Sequence, residues 1–172
     1  MTAIEAVREV YLRPGDFCFG EGKLRITTLL GSCISIILWH PLLAHGGMCH
    51  YMLPERHDIN EAALDGRYAD EAVALLLKKM DVIGLPYKEY QVKLFGGGNM
   101  FPESPKNKML DIGTKNVQAA RKLLKQHGFT CVASHLGGTG SRTVIFEVWS
   151  GDVWIKHCHC FSRHPLQPSI KK

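Results

Sequence analysis

The sequence predicts a single α+β domain built in layers, with mainly antiparallel sheets. Two observations carry this prediction. Short runs rich in β-branched and large apolar residues outnumber helical stripes, and those runs cluster in hairpin-like groups near each end of the chain rather than alternating regularly with helices. A length of 172 residues fits one core, so the whole span 1–172 is read as one domain.

Each element follows from its local pattern. Residues 24–30 (LRITTLL) and 33–39 (CISIILW) read as two strands interrupted at Gly31-Ser32. Residues 46–53 (GGMCHYML) form a third extended run closed by Pro54, so 33–53 reads as an antiparallel hairpin with a longer loop, followed by a polar loop over 55–66. From Tyr68 to Ile83, Ala69, Ala72, Val73, Leu76, Leu77 and Met80 recur at helical spacing, and Gly84 and Pro86 end the helix. A strand over 90–95 leads into the glycine-rich loop GGGNMFPESPKNKML. A second helix is expected from Thr114, as N-cap, with Val117, Ala120, Leu123 and Leu124 buried and Gly128 as its stop. Strands over 129–136, 142–149 and 153–158 complete the chain, separated by the turn signals GGTGS and SGD.

Composition narrows the function. Hydrophobic residues make up 45% and charged residues 22%, as in ordinary globular proteins. The N-terminal MTAIEAVREVYL lacks the apolar run of a secretory signal, and no stretch is long and apolar enough to span a bilayer. A cytoplasmic location and reduced thiols are therefore expected for the six cysteines, at 18, 33, 49, 131, 158 and 160. The net charge of +5 comes from scattered basic residues without an aromatic stacking surface, which argues against nucleic acid as partner and is compatible with docking to an acidic protein surface. Neither GGGNMF nor GGTGSR carries the residue pattern of a phosphate-binding loop, so no nucleotide cofactor is expected.

Cys33 follows a Gly-Ser turn that feeds a strand, where the N–H groups of Ser32 and Cys33 can serve as oxyanion donors. His50 lies on the strand that a hairpin returns beside Cys33, and an imidazole there can take the thiol proton. From the residues alone, the commoner reading is a small packed cysteine and a hydrogen-bonded core histidine, because most unbridged cysteines are buried. Gly97, Gly98 and Asn99 are candidates for contacts with a substrate, or for a purely structural loop. Cys49 should face away from the site, because Met48 and His50 share the opposite face of the strand. The cluster of His157, Cys158, His159, Cys160 and His164 lacks the spacing of a tetrahedral zinc set, so no metal is expected.

The segment LLGSCISIILWHPLLAHGGMCHYMLP resembles the signature of the chemoreceptor glutamine deamidase family CheD, a G-S-C strand followed by a GG…H-x-M-L-P strand. FGGGNMF, IGTKNVQAARKLL and GGTGSRTVIFEVWSGDVWIK resemble that family's later blocks in the same order. Cys49, directly before the histidine, departs from the expected pattern. The resemblance implies a catalytic Cys33, a general base His50 and a third residue at Thr27, with Thr28 the weaker candidate for that role. It also implies an α/β/β sandwich akin to the cytotoxic necrotizing factor catalytic domain, chemoreceptor cytoplasmic domains as substrates, and the CheC phosphatase as a further partner. The competing readings are a non-catalytic signalling adaptor that keeps the fold, and a thiol protease or acyltransferase.

Overall fold

The computed structural model describes residues 6–57, 63–102 and 111–159. Two sheets and two helices build one small α+β domain. The strands are β1 (Arg8–Tyr11), β2 (Phe17–Glu21), β3 (Leu24–Leu30), β4 (Ile34–His40), β5 (His45–Cys49), β6 (Gln91–Gly96), β7 (Cys131–Leu136), β8 (Ser141–Glu147) and β9 (Asp152–Cys158). The helices are α1 (Ala69–Ile83) and α2 (Ile112–Gln126). One sheet has the order β1-β3-β8-β9 and the other β2-β5-β4-β6-β7. Pairings are antiparallel apart from β1 with β3 and β6 with β7, which run parallel.

Two apolar clusters define three layers. Ile34, Ile36, Leu38, Cys49 and Tyr51 on one face of the five-stranded sheet pack against Ala72, Leu76 and Met80 of α1 and Ala120 and Leu124 of α2. Ile37, Met48 and Phe95 on its other face pack against Leu24, Ile26, Leu30, Val144 and Phe146 of the four-stranded sheet. The order is helices, sheet, sheet. Strand alternation produces it, since successive residues of β4 point alternately to the helices and to the second sheet.

The first helix matches its sequence pattern closely: all six stripe residues are buried, and Gly84 closes it at φ 77° with its N–H on the Met80 carbonyl. The second starts earlier than expected. Asp111 is the N-cap, its carboxylate accepting from the Thr114 N–H at 3.0 Å, so Thr114 lies inside the first turn. Val117 and Leu123 are only partly buried, and the buried face includes the polar Asn116. β1 and β2 have no counterpart among the predicted strands. Both are short and mixed in burial, edge strands whose pairing rather than composition makes them extended. The interruption at Gly31-Ser32 is a crossing between layers, because β3 belongs to one sheet and β4 to the other.

Candidate functional site

The site lies where the chain crosses between the sheets. The isolated bridge between Ile34 and Tyr51 extends the β4–β5 register, so Cys33 and His50 share the face turned toward the four-stranded sheet, one diagonal step apart. Cys33 is partly exposed and packs against the inter-sheet cluster; His50 is 2% exposed. The expected hairpin has therefore brought the two residues together on one face.

Hydrogen bonds fix the tautomer of His50. The Thr28 hydroxyl donates its single proton to the Leu12 carbonyl at 2.9 Å and lies 2.7 Å from His50 Nδ1. With that proton committed, Thr28 Oγ1 accepts, and the Nδ1–H donates. Nε2 consequently carries the lone pair, and it has no hydrogen-bond partner among the described residues. The backbone of His50 is tied on both sides, its N–H to the Asp16 carbonyl at 3.0 Å and its carbonyl to the Gly15 N–H at 2.7 Å. Burial lowers its pKa to about 4, opposed by the Leu12 carbonyl and the Asp16 charge. Burial pushes the Cys33 thiol up, offset in part by its own backbone N–H. At neutral pH both the thiol and the imidazole are thus uncharged.

Thr27 is not part of this contact. It points to the outer face of its strand, in register with Tyr11 on one side and Ile145 on the other, whereas Thr28 is fully buried between the sheets. The residue that bonds the histidine is therefore Thr28, because neighbouring residues on a strand face opposite ways. Cys49 behaves as alternation predicts: it packs in the helix-side cluster, and complete burial pushes its thiol up to about 12.

The turn at Gly31–Cys33 is held from behind. The Gly98 N–H donates to the Gly31 carbonyl and the Gly97 N–H to the Cys33 carbonyl, both at 2.8 Å. Asn116 Nδ2 donates to the Ser32 carbonyl at 3.0 Å and to the Met52 carbonyl at 2.7 Å. Among the described residues, no backbone carbonyl accepts from the N–H of Ser32 or Cys33. Gly97 requires glycine: its φ is +69°, and a Cβ there would collide with Val117. Asn99 joins this strip to the next loop, its N–H on the Gly138 carbonyl and its carbonyl on the Gly140 N–H. Gly97, Gly98 and Asn99 thus all engage backbone groups of the turn or its neighbouring loop. The rest of the long loop, residues 103–110, lies outside the described residues.

Buried Arg142 braces the same region, with Nη1 on the Gly96 carbonyl and Nη2 on the Gly137 carbonyl, each at 2.6 Å. At the end of β9, the His157 ring lies 5.1 Å from that of His135 and 4.2 Å from that of His159, and its Nε2 contacts the Thr139 carbonyl at 2.9 Å. Cys160 and His164 of this cluster lie outside the described residues. Cys18, Cys33, Cys49, Cys131 and Cys158 are free thiols. No described helix is long and apolar enough to cross a membrane.

Fold and site together define the class: a small three-layer α+β protein that presents a partly exposed thiol on the same strand face as a buried, neutral, tautomer-fixed imidazole. The family model described as CheD chemotactic sensory transduction matches residues 52–157, beginning just beyond His50. A probable chemoreceptor glutamine deamidase CheD 3 of Dechloromonas aromatica is 52% identical over 154 residues, 90% of each chain. That alignment leaves 18 residues of this chain outside it (172 − 154), fewer than precede Cys33, so it takes in both Cys33 and His50. A probable chemoreceptor glutamine deamidase CheD 1 of Chromobacterium violaceum is 48% identical over 86% of this chain and 76% of its own. A counterpart in Pseudomonas fluorescens is 46% identical over 87% and 84%. The chain belongs to the CheD family.

Proposed function

We propose that this protein is a protein-glutamine deamidase that converts glutamine side chains of chemoreceptor cytoplasmic domains to glutamate, with Cys33 as nucleophile and His50 as acid and base. The observation that carries the mechanism is the orphaned lone pair of His50 Nε2, on the same face as a partly exposed thiol, with Nδ1–H committed to Thr28. The substrate class follows from the names of the relatives.

In the reaction the Cys33 sulfur bonds to the side-chain amide carbon as its proton passes to Nε2. The amide oxygen becomes an oxyanion, and the N–H groups of Ser32 and Cys33, which donate to no backbone carbonyl among the described residues, receive it. His50 returns the proton to the amide nitrogen, the C–N bond breaks, and ammonia leaves a thioester on Cys33. Water, losing a proton to Nε2, attacks the thioester; the C–S bond breaks, the thiol is reprotonated and glutamate is released. Because the resting pair is uncharged, proton transfer accompanies attack rather than preceding it. Thr28 holds the imidazole in the competent tautomer, the role expected of Thr27.

Gly97, Gly98 and Asn99 serve this chemistry by shaping the nucleophile turn. The helix–sheet–sheet layering supports kinship with the catalytic domain of the cytotoxic necrotizing factors. The reading further includes a cytoplasmic location, a single domain over 1–172, a CheC-type phosphatase as second partner, and neither metal nor organic cofactor in the reaction. The test is mass spectrometry of receptor cytoplasmic fragments incubated with wild type and with Cys33→Ala. Conversion at specific glutamines by the wild type alone is the expected result. Conversion by neither, with folded protein and several receptors tried, would leave the non-catalytic adaptor.

A further inference from the structure

Resting on the mechanism above, we propose that Asn116 of α2 is a positioning residue that aims the oxyanion donors of the nucleophile turn. In a trans peptide the C=O and the following N–H point in opposite directions, so fixing one fixes the other. The Ser32 carbonyl shares its peptide with the Cys33 N–H, and it is held by Asn116 Nδ2 at 3.0 Å. The Gly31 carbonyl shares its peptide with the Ser32 N–H, and it is held by the Gly98 N–H at 2.8 Å. Each donor is therefore set by a bond on the far side of its own peptide, and a carbonyl that accepts a hydrogen bond also polarises its N–H into a better donor.

Asn116 does more than Gly98, because it ties the turn to the histidine segment. Its second proton goes to the Met52 carbonyl at 2.7 Å, and its own backbone carbonyl accepts from the Tyr51 hydroxyl at 2.6 Å. The amide orientation is unambiguous, since both neighbours are carbonyls that only accept. Asn116 is 0% exposed, and its Oδ1 is buried without a partner among the described residues. A buried acceptor left unsatisfied opposes folding, which fits a side chain kept for where its two protons point. Its spacing on α2 puts it on the helix face packed over the turn, beside Gly113, which meets Gly97 closely.

The test separates oxyanion stabilisation from thiol reactivity. Acetylation of Cys33 by p-nitrophenyl acetate passes through a tetrahedral oxyanion, whereas alkylation by iodoacetamide does not; both are read at the Cys33 peptide by mass spectrometry. In Asn116→Ala, acetylation is expected to slow about 10- to 100-fold while alkylation stays within about twofold. Asn116→Ser, which keeps a polar group in less space, carries the decision if the alanine variant does not fold. Acetylation within twofold of wild type would overturn the inference, and so would an equal fall in both rates, which marks a merely structural residue. A wild type whose Cys33 is alkylated but not acetylated would also overturn it. A wild type that is acetylated yet deamidates no receptor glutamine would sink the deamidase reading and leave this inference standing.

Discussion

Thr28→Val is the sharpest test of how the base is held. Valine matches threonine in shape, so the change removes two hydrogen bonds and almost no packing: the bond to the Leu12 carbonyl at 2.9 Å and the one from His50 Nδ1 at 2.7 Å. Both partners lie in a site where Thr28 is 0% and His50 2% exposed, so each left unsatisfied costs about 1–3 kcal/mol, or about 2–6 kcal/mol together if neither finds water or another partner. Freed from its acceptor, the imidazole can rotate or change tautomer, and a loss of about 10- to 100-fold in kcat/KM corresponds to about 1.4–2.7 kcal/mol of transition-state stabilisation. Thr27→Val is the paired control. Its side chain lies on the outer sheet face between Tyr11 and Ile145, and its stability should change by no more than about 0.5 kcal/mol. Urea unfolding and receptor-fragment deamidation, run on both variants, read the two effects. Loss of activity in Thr27→Val with a near-normal Thr28→Val would refute the assignment of the imidazole's partner.

Three further outcomes follow from the same geometry. His50 is held neutral in the folded protein with its pKa lowered to about 4, while the unfolded chain takes up its proton near 6.5, so stability is full above that value and falls by about 3 kcal/mol as pH drops from 6.5 toward 4; urea midpoints across that range should show a steeper decline in wild type than in His50→Gln. The acid limb of kcat/KM should likewise sit nearer 4 than 6.5, and a limb at the ordinary histidine value would contradict the buried base. Cys49→Ala should retain activity and leave the rate of iodoacetamide labelling at Cys33 unchanged, whereas Cys49→Ser should lose about 1–3 kcal/mol by burying a hydroxyl in the helix-side cluster; inactivation by the alanine change would make Cys49 a participant.

Much of the fold was legible because burial follows period. The stripe from Ala69 to Met80 named every buried residue of α1, and strand alternation alone assigned Met48 and Cys49 to opposite sides of β5, where they are found. The hairpin pattern placed Cys33 and His50 on one face, as found, while their roles as a pair came from the family resemblance and not from spacing. The third residue was harder. Thr27 and Thr28 are chemically identical neighbours, and only the contact between the two sheets decides which one meets His50. Asn116 was hidden for a related reason: the apolar stripe of α2 marks its buried face, while a buried polar residue on that face is defined by the carbonyls it meets from Ser32 and Met52. β1 and β2 depend on neighbours far along the chain, β2 on β5 and β1 on β3, and their own residues carry little strand pattern.

At the centre of the proposed chemistry a receptor glutamine passes through a thioester on Cys33, resolved by His50. Acid quenching of the protein during turnover with a receptor-derived glutamine peptide, followed by mass spectrometry of the Cys33 peptide, tests it directly. An acyl adduct on Cys33 that accumulates in the early turnover, discharges to the glutamate peptide, and is missing from Cys33→Ala is the predicted result. Glutamate formation by the Cys33→Ala variant, or an adduct that forms on another cysteine, would contradict it.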